Sequence, residues 1–488
     1  MDIFTQGDIQ TYAQFSQDIV EFDGEYDVAS GTQKLDLWGP VHILSGWSDI
    51  ILNVLYLRII HLLVDLCNLK PSNIIKDLAT VILGLIQLTN YAGHFGLVTP
   101  VTALIVYYTA FVIIRQVWTM KKRSLTRCRI LYLIGTLAVP LFVNEFCIFF
   151  YQWQKLTVLR TILSCIIMKS SSIILTPQIP NLNISSSVAY LIHPAASIFG
   201  VWQPMKSAKA HTRVSDGTCK KLSKFTQQVF IGSAYFLKTI IILIIDVNLT
   251  GITSNIESAF DHALVNTILR VYRVALEFRI SHYFTGYLST SLIRLWQDPA
   301  IEEGFLVCQP FKIEFPRSLL EVVRFWNLPM HHWLKSHVFW PVKEHKSSIY
   351  ISLGLTYIIS SMLHGFKFHI WSVLLTLGFL TWTEHQLRIE LARRLSACVL
   401  SSRCRYNSKS ECSRGHKRIP NNSILVHVIN LTFTALAMIH LAYLGYIFVG
   451  NTDEARYTEA LARWSELYYF AHLTSIVTYI SLRVIQRL

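Results

Sequence analysis

The clearest evidence for the fold of this protein is the stretch Ile424-Leu-Val-His-Val-Ile-Asn-Leu-Thr-Phe-Thr-Ala-Leu-Ala-Met-Ile-His-Leu-Ala-Tyr-Leu-Gly-Tyr-Ile-Phe-Val449, which contains no Lys, Arg, Asp or Glu. A helix of about 20 apolar residues is long enough to cross a lipid bilayer. A second apolar block occupies residues 349–363, and others recur along the 488-residue chain. Only 15% of the residues are charged, against about 25% in ordinary soluble domains. The sequence therefore predicts a membrane protein with many spans.

About eleven candidate transmembrane helices can be placed on these blocks. They cover residues 43–66, 74–93, 97–118, 130–151, 156–177, 225–247, 260–291, 348–365, 367–385, 424–449 and 464–486. The stretch 293–347 is mixed in polarity and rich in proline, so we expect broken helices there, re-entrant or interfacial. The predicted fold class is an all-α polytopic membrane protein.

The beginning of the chain differs from the rest in composition. Residues 1–36 hold eight acidic side chains and a single basic one, Lys34. They show neither an apolar block nor the basic start of a secretory signal peptide. We expect residues 1–40 to form a flexible acidic tail, and residues 41–488 to form a single membrane domain.

Basic residues concentrate in three loops, and this pattern predicts the orientation of the chain. Loops 119–129, 206–224 and 386–418 carry five, six and nine Lys or Arg, within a formal net charge of +14. Because basic residues are enriched in cytoplasmic loops, we assign these loops to the cytosol rather than to a nucleic-acid surface. The amino terminus is then lumenal and the carboxyl terminus cytosolic. Asn248 begins a glycosylation sequon in a predicted lumenal loop.

His364 is the first candidate for chemistry. It follows an apolar block of fifteen residues, 349–363, and a rise of about 1.5 Å per residue places it roughly 23 Å into a core about 30 Å thick. Ionisable groups at this depth are rare and usually face a cavity or a partner. Two interpretations stay open, a functional base and a histidine that hydrogen-bonds within the helix bundle.

Asn327 is the second candidate. It lies two residues before Pro329, where the polar stretch interrupts the helix. A neutral amide donates and accepts hydrogen bonds, so Asn327 is suited to orienting a histidine or stabilising an oxyanion. The alternative is a structural asparagine at a proline turn.

Several longer runs resemble the membrane-bound O-acyltransferase family. One is Pro316-Arg-Ser-Leu-Leu-Glu-Val-Val-Arg-Phe-Trp-Asn-Leu-Pro-Met330, in which the Trp-Asn pair precedes the intramembrane His364 by 37 residues. The others are residues 193–200, 278–284, 357–369, 384–385, 395–404, 440–445 and 464–467. The likeness runs from about residue 190 to the carboxyl terminus, and its longer runs point to family members that acylate a serine of Wnt proteins.

This resemblance implies an enzyme of the endoplasmic reticulum membrane with a central catalytic tunnel. It implies that His364 is the catalytic base and Asn327 its essential companion, while a Wnt serine hydroxyl attacks an acyl-CoA thioester. Palmitoleoyl-CoA would be the co-substrate, with no metal and no permanently bound cofactor. The residues expected along the acyl-CoA tunnel are Trp326, Ser360, Ser361, Arg279, His282, Tyr283 and Trp333.

Two other functions stay open. An O-acyltransferase that acts on a lysolipid or on another secreted protein has the same Trp-Asn and His motifs. A transporter or receptor without chemistry also places polar residues in its spans. The sequence shows no paired broken helices in matching halves of the chain, the usual pointer to a transporter.

Other polar residues in or near the spans are interpreted as structural. Glu384 and Arg388 are four residues apart and are expected to pair at the cytoplasmic edge. The histidines expected to be structural are His369, His385, His440 and His472.

A last set of residues resembles a metal site in type but not in spacing. Cys398, Cys404, Cys412 and His416 are separated by 6, 8 and 4 positions. Structural zinc sites usually contain tighter cysteine pairs, and cytosolic thiols stay reduced. The sequence therefore favours reduced thiols over a zinc site or a disulfide.

Overall fold

The computed structural model describes most of the chain as helix. The described residues are 44–67, 69, 72–92, 156–175, 184–199, 201–204, 218–257, 263–296, 305–344, 348–364, 368–404, 412, 423–448 and 457–487. They contain no β-strand, which confirms the predicted all-α class. The acidic tail and the predicted spans 97–118 and 130–151 lie outside the described residues.

Sixteen α-helices can be numbered in chain order through the described residues. They are α1 Ser48–Leu66, α2 Ser72–Ala92, α3 Leu156–Leu175, α4 Ile184–Leu191, α5 Pro194–Ser197, α6 Thr218–Glu257, α7 Ala263–Trp296, α8 Pro310–Glu314, α9 Leu319–Trp326, α10 Leu328–Leu334, α11 Trp340–Glu344, α12 Ile349–Leu363, α13 Phe368–Leu395, α14 Ile424–Gly445, α15 Tyr457–Glu466 and α16 Phe470–Arg487. A π-helical turn, Lys335–Phe339, joins α10 to α11, and a 3₁₀ turn, Tyr446–Phe448, follows α14.

Apolar side chains cover the outside as well as the inside of several helices. Helix α1 buries Val54 and Leu57 but exposes Tyr56 and Leu63. A helix that is apolar all round belongs in a large core or in a membrane. Within the described residues, two helical segments are long and apolar enough to cross a bilayer, Thr218–Leu249 and Ile424–Phe448. Helix α12 is a shorter apolar helix, and the count of eleven spans stays a prediction.

The described helices coincide with the predicted spans over most of their lengths but differ at several ends. Helix α6 continues to Glu257, so Asn248 lies within a helix and not in the predicted loop. The physical reason is that residues 248–257, although partly polar, contain no proline that would interrupt the helix. The predicted span 464–486 is divided between α15 and α16, because Tyr468 and Tyr469 adopt left-handed backbone angles (φ 53° and 50°) that a helix does not accommodate.

The proline-rich stretch 293–347 is broken into short pieces, as its composition predicts. Helix α7 ends at Trp296, and α8 to α11 are five to eight residues long, which is about one or two turns each. Ser318 caps α9 by accepting a hydrogen bond from the N–H of Glu321 (3.4 Å). Whether these pieces are re-entrant or interfacial stays a prediction.

The chain divides into two compact units. The first contains Met1–Val247, Phe284–Val307 and His332–Gly365. Its hydrophobic core joins α1, the end of α6 and the second half of α7, through buried residues such as Val54, Leu243, Phe284 and Leu288. Apolar faces of these helices meet because burial removes their side chains from water or lipid and packs them closely.

The second unit contains Asn248–Tyr283, Cys308–His331 and Phe366–Leu488. Its main core joins α9, α13, α14, α15 and α16, and Tyr443 stacks on Trp464 with ring centroids 5.9 Å apart. Helices α7 and α14 approach closely at Gly445, where an added Cβ would come 2.8 Å from the Cβ of Ala275. Only glycine fits this contact without displacement.

Candidate active site

His364 stands at the carboxyl end of helix α12. The helix starts where Ser348 accepts a hydrogen bond from the N–H of Tyr350, and it ends at Leu363. The N–H of His364 still donates to the carbonyl of Ser361 (3.2 Å), and its side chain is exposed. Ser164 of α3 donates to the carbonyl of Leu363 (3.0 Å). The sequence did not point to Ser164, which holds the backbone directly before the candidate base.

The other predicted tunnel residues of the first unit differ in how their polar atoms are used. Ser361 is buried, and its hydroxyl donates to the carbonyl of Tyr357. Trp333 is fully buried, and its indole N–H is shared between the carbonyl of Met168 (3.1 Å) and the hydroxyl of Ser171 (2.9 Å). Ser360 is half-buried, and its spacing of four residues places it on the face of α12 that leads to His364. Their contact with acyl-CoA stays a prediction.

Asn327 occupies the junction between helices α9 and α10. Its backbone is extended (φ −139°, ψ 91°), which ends α9. Its side-chain oxygen accepts a hydrogen bond from the N–H of Met330 (3.0 Å), so that it caps α10. Within the part of the chain that the structure describes, the side-chain NH₂ of Asn327 donates no hydrogen bond, so this group stays available as a donor.

An aromatic stack supports the backbone directly before Asn327. His282 lies nearly parallel to Trp326, with centroids 4.3 Å apart, and donates from Nε2 to the carbonyl of Trp326 (2.9 Å). Phe278 stacks on the same tryptophan (6.1 Å) and on Phe448 (4.4 Å). His282 and Trp326 therefore position the peptide that leads into Asn327.

Arg279 and Tyr283 take part in a buried polar cluster with an acid that the sequence did not single out. The guanidinium of Arg279 binds both carboxylate oxygens of Glu314 (2.7 and 3.0 Å), and Tyr283 donates to the same carboxylate (2.6 Å). Glu314 lies 35 residues after Arg279 on a different helix, so no local spacing predicts this pair. Bidentate pairing fixes both partners in geometry, which makes the cluster an anchor for α8.

The two principal candidates belong to different units. His364 lies in the first unit, with Ser360, Ser361 and Trp333. Asn327 lies in the second, and its unit also contains the predicted tunnel residues Arg279, His282, Tyr283 and Trp326.

Three of the four histidines interpreted as structural form hydrogen bonds within the second unit. His440 pairs with Thr474 (2.9 Å), and His472 with the hydroxyl of Tyr443 (3.0 Å). His385 pairs with the hydroxyl of Ser401 (2.9 Å). These partners agree with the structural interpretation of these three histidines.

Comparison with known proteins identifies the segment that contains both candidates. Residues 263–393 match the membrane-bound O-acyltransferase family, MBOAT. Asn327 and His364 both lie inside this match. The resemblance predicted from the sequence motifs is confirmed, and the membrane-bound character of the family agrees with the outward-facing apolar side chains.

Individual curated proteins show the similarity in more detail. The chain is 40% identical over 229 residues to the human protein-serine O-palmitoleoyltransferase porcupine, which covers 44% of this chain and 48% of that protein. It is 32% identical over 317 residues to the Drosophila melanogaster protein of the same name, covering 60% of this chain and 57% of that protein. The Anopheles gambiae relative is 39% identical over 229 residues, with 43% and 45% covered. The chain thus spans about half the length of the curated relatives it matches.

Proposed function

We propose that this protein transfers a palmitoleoyl group from palmitoleoyl-CoA to a serine hydroxyl of Wnt proteins, and so enables their secretion and signalling. The proposal rests on the match of residues 263–393, which include Asn327 and His364, to the O-acyltransferase family. The relatives named protein-serine O-palmitoleoyltransferase suggest the acyl group and the acceptor residue.

The chemistry requires a base at the acceptor hydroxyl. A serine hydroxyl is a poor nucleophile until a base removes its proton during attack. His364 takes this proton while the serine oxygen bonds to the thioester carbon. The carbon–sulfur bond then breaks, and His364 returns the proton to the departing CoA sulfur. A positioned general base of this kind contributes about 10²–10⁴-fold in rate.

Asn327 supplies the second function that acyl transfer needs. Negative charge develops on the carbonyl oxygen during attack, and a fixed donor stabilises it. The side-chain oxygen of Asn327 is engaged in capping α10, so the amide NH₂ group is fixed in direction. This group then donates to the carbonyl oxygen or orients the base.

The predicted membrane orientation suits the two substrates. Acyl-CoA is cytosolic and a secreted acceptor is lumenal, while His364 follows a span that starts at the cytoplasmic side. The enzyme would therefore lie in the endoplasmic reticulum membrane, with its amino terminus in the lumen and its carboxyl terminus in the cytosol. The acyl chain would lie among apolar helices at the depth of His364.

The direct test is acyl transfer by the purified protein in detergent. We expect transfer of a labelled palmitoleoyl group from CoA to a Wnt-derived peptide, and none to the same peptide with alanine at the acceptor serine. Acylation of a lysolipid but not of the peptide would retain the family's chemistry and exclude the Wnt acceptor. Binding of acyl-CoA with no transfer to either acceptor would favour a transporter or receptor.

Two substitutions at Asn327 separate its capping role from its donor role. Asn327→Asp keeps an acceptor for the N–H of Met330, so unfolding free energy should change by less than about 0.5 kcal/mol. It removes the donor, and transfer should fall by about 10²–10³-fold. Asn327→Ala should lose a similar amount of activity and about 1 kcal/mol of stability besides. If Asn327→Asp transfers the acyl group at the wild-type rate, Asn327 acts as a helix cap and not as a donor in the reaction.

A further inference from the structure

Three cysteines that follow one another at intervals of 6 and 8 positions meet in the second unit. Cys398, Cys404 and Cys412 place their sulfur atoms within 4.8 Å of one another. Tetrahedral zinc with Zn–S bonds of about 2.3 Å requires sulfur atoms about 3.8 Å apart. The spacings of 6 and 8 positions argued against a metal site in the sequence. The fold nevertheless brings the three sulfur atoms close enough that a small shift of the side chains would give the distances that zinc requires.

The segment that carries Cys398 is built into the protein core. The chain leaves α13 through Ser396, whose φ of 46° turns the backbone sharply. Ala397, Val399 and Leu400 are then buried against Val426 of α14. A sharp turn followed by buried apolar residues sets the direction of the cysteine between them.

Side chains from three other elements hold the carbonyl groups of this segment. Arg317 donates to the carbonyls of Cys398 (2.6 Å) and Leu400 (2.9 Å). Arg388 donates to the carbonyl of Val399 (2.8 Å), and Asn430 to that of Cys398 (3.3 Å). The backbone next to the first thiol is therefore rigid before any ligand binds, as a metal site on a loop requires.

The charges around the thiols favour their ionised form once a metal is present. Three neutral thiols crowded in this way are weak mutual partners. A divalent metal displaces their protons, because thiolate is the ligand form of cysteine. The guanidinium of Arg317 lies beside the cluster and offsets the negative charge of three thiolates.

We propose that Cys398, Cys404 and Cys412 bind a structural Zn²⁺ through three thiolates, with one further donor completing the tetrahedron. Three cysteines cannot all be satisfied by one disulfide, and the predicted cytosolic position of this loop keeps thiols reduced. The ion would tie the segment after α13 to Cys412. His416 lies outside the described residues, so the assignment rests on the three cysteines.

This site is separate from acyl transfer. The reaction requires no metal, and none of the three cysteines has a role in the proposed chemistry. A negative test of the zinc site would therefore leave the proposed function unaffected, and a negative test of acyl transfer would leave the zinc site unaffected.

Metal content of the full-length protein, purified in detergent without chelator, tests the site. We expect about one zinc per chain by inductively coupled plasma mass spectrometry. Cys404→Ser removes one of the proposed zinc ligands. Its zinc affinity should therefore fall by at least about 10–100-fold, the loss that follows when a group hydrogen-bonded to a metal ligand is mutated. The matched control is Cys308→Ser, because Cys308 is a buried cysteine of the same unit that is not part of the cluster. It should keep the wild-type zinc content.

A second measurement does not depend on the folding of a variant. Titration of the wild type with a mercurial thiol reagent should release its zinc in step with modification of cysteines, as a zinc-sensitive dye reports. Wild-type protein without zinc, or with iron or copper in its place, would overturn the proposal. So would equal zinc content in the wild type and in folded Cys404→Ser.

Discussion

His364→Ala should lower acyl transfer to the serine peptide by about 10²–10⁴-fold in kcat. The reason is that no other group in the proposed chemistry takes the proton of the attacking hydroxyl. The side chain is exposed at the end of α12, so its truncation removes little packing. We expect the variant to fold and to bind acyl-CoA with unchanged affinity, which single-turnover assays and equilibrium binding of labelled acyl-CoA will measure.

A histidine of similar exposure provides the control. His427 lies on the exposed side of α14, and His427→Ala should transfer at the wild-type rate. His364→Gln retains a hydrogen-bonding group of similar length but cannot act as a base near neutral pH, so it should be as inactive as the alanine variant. Wild-type kcat in His364→Ala would place the base at another histidine.

Arg388→Met destabilises the protein by about 3–5 kcal/mol, the usual cost of removing one partner of a buried ion pair. Arg388 is fully buried and donates to Glu384 (2.8 Å) and to Asn430 (3.2 Å). It also binds the carbonyls of Val399 (2.8 Å) and Arg317. Methionine fills much of the volume but removes the charged partner of Glu384, whose other hydrogen-bond donor among the described residues is the N–H of Leu319. Unfolding in detergent, followed by circular dichroism, measures the change.

Arg393→Met is the matched control for this prediction. Arg393 lies on the same helix and pairs with Glu390, but 66% of its side chain is exposed. Glu390 also keeps its second partner, Arg394. We expect no measurable change in the free energy of unfolding, since exposed ion pairs contribute little. Equal destabilisation by the two variants would show that the network around Arg388 is not a main anchor of the second unit.

Local pattern predicted several features that the structure confirms. The apolar block that ends at His364 is helix α12, and the proline-rich stretch around Asn327 is broken into short helices. The spacing of Glu384 and Arg388 predicted their ion pair. These features depend on residues close together in the chain, so the periodicity of a helix and the geometry of proline are sufficient to find them.

Burial and long-range partners were beyond such reasoning. The pair of Glu384 and Arg388 was predicted from its spacing, but that spacing did not show that both side chains are buried. Glu314 could not be linked to Arg279 across 35 residues, nor Ser164 to the end of α12 across 199 positions. A residue's spacing along a helix gives its face but not the element that packs against that face.

Composition and apolar periodicity alone predict an all-α membrane protein, and the Trp-Asn and His motifs give the resemblance to the membrane-bound O-acyltransferase family, because both signals are carried by neighbouring residues. The tertiary structure alone assigns the side-chain oxygen of Asn327 to a helix cap, Glu314 to Arg279, and Cys398, Cys404 and Cys412 to one cluster. Such contacts depend on how separate helices pack, and packing is set by many weak interactions across the whole chain that no local pattern contains.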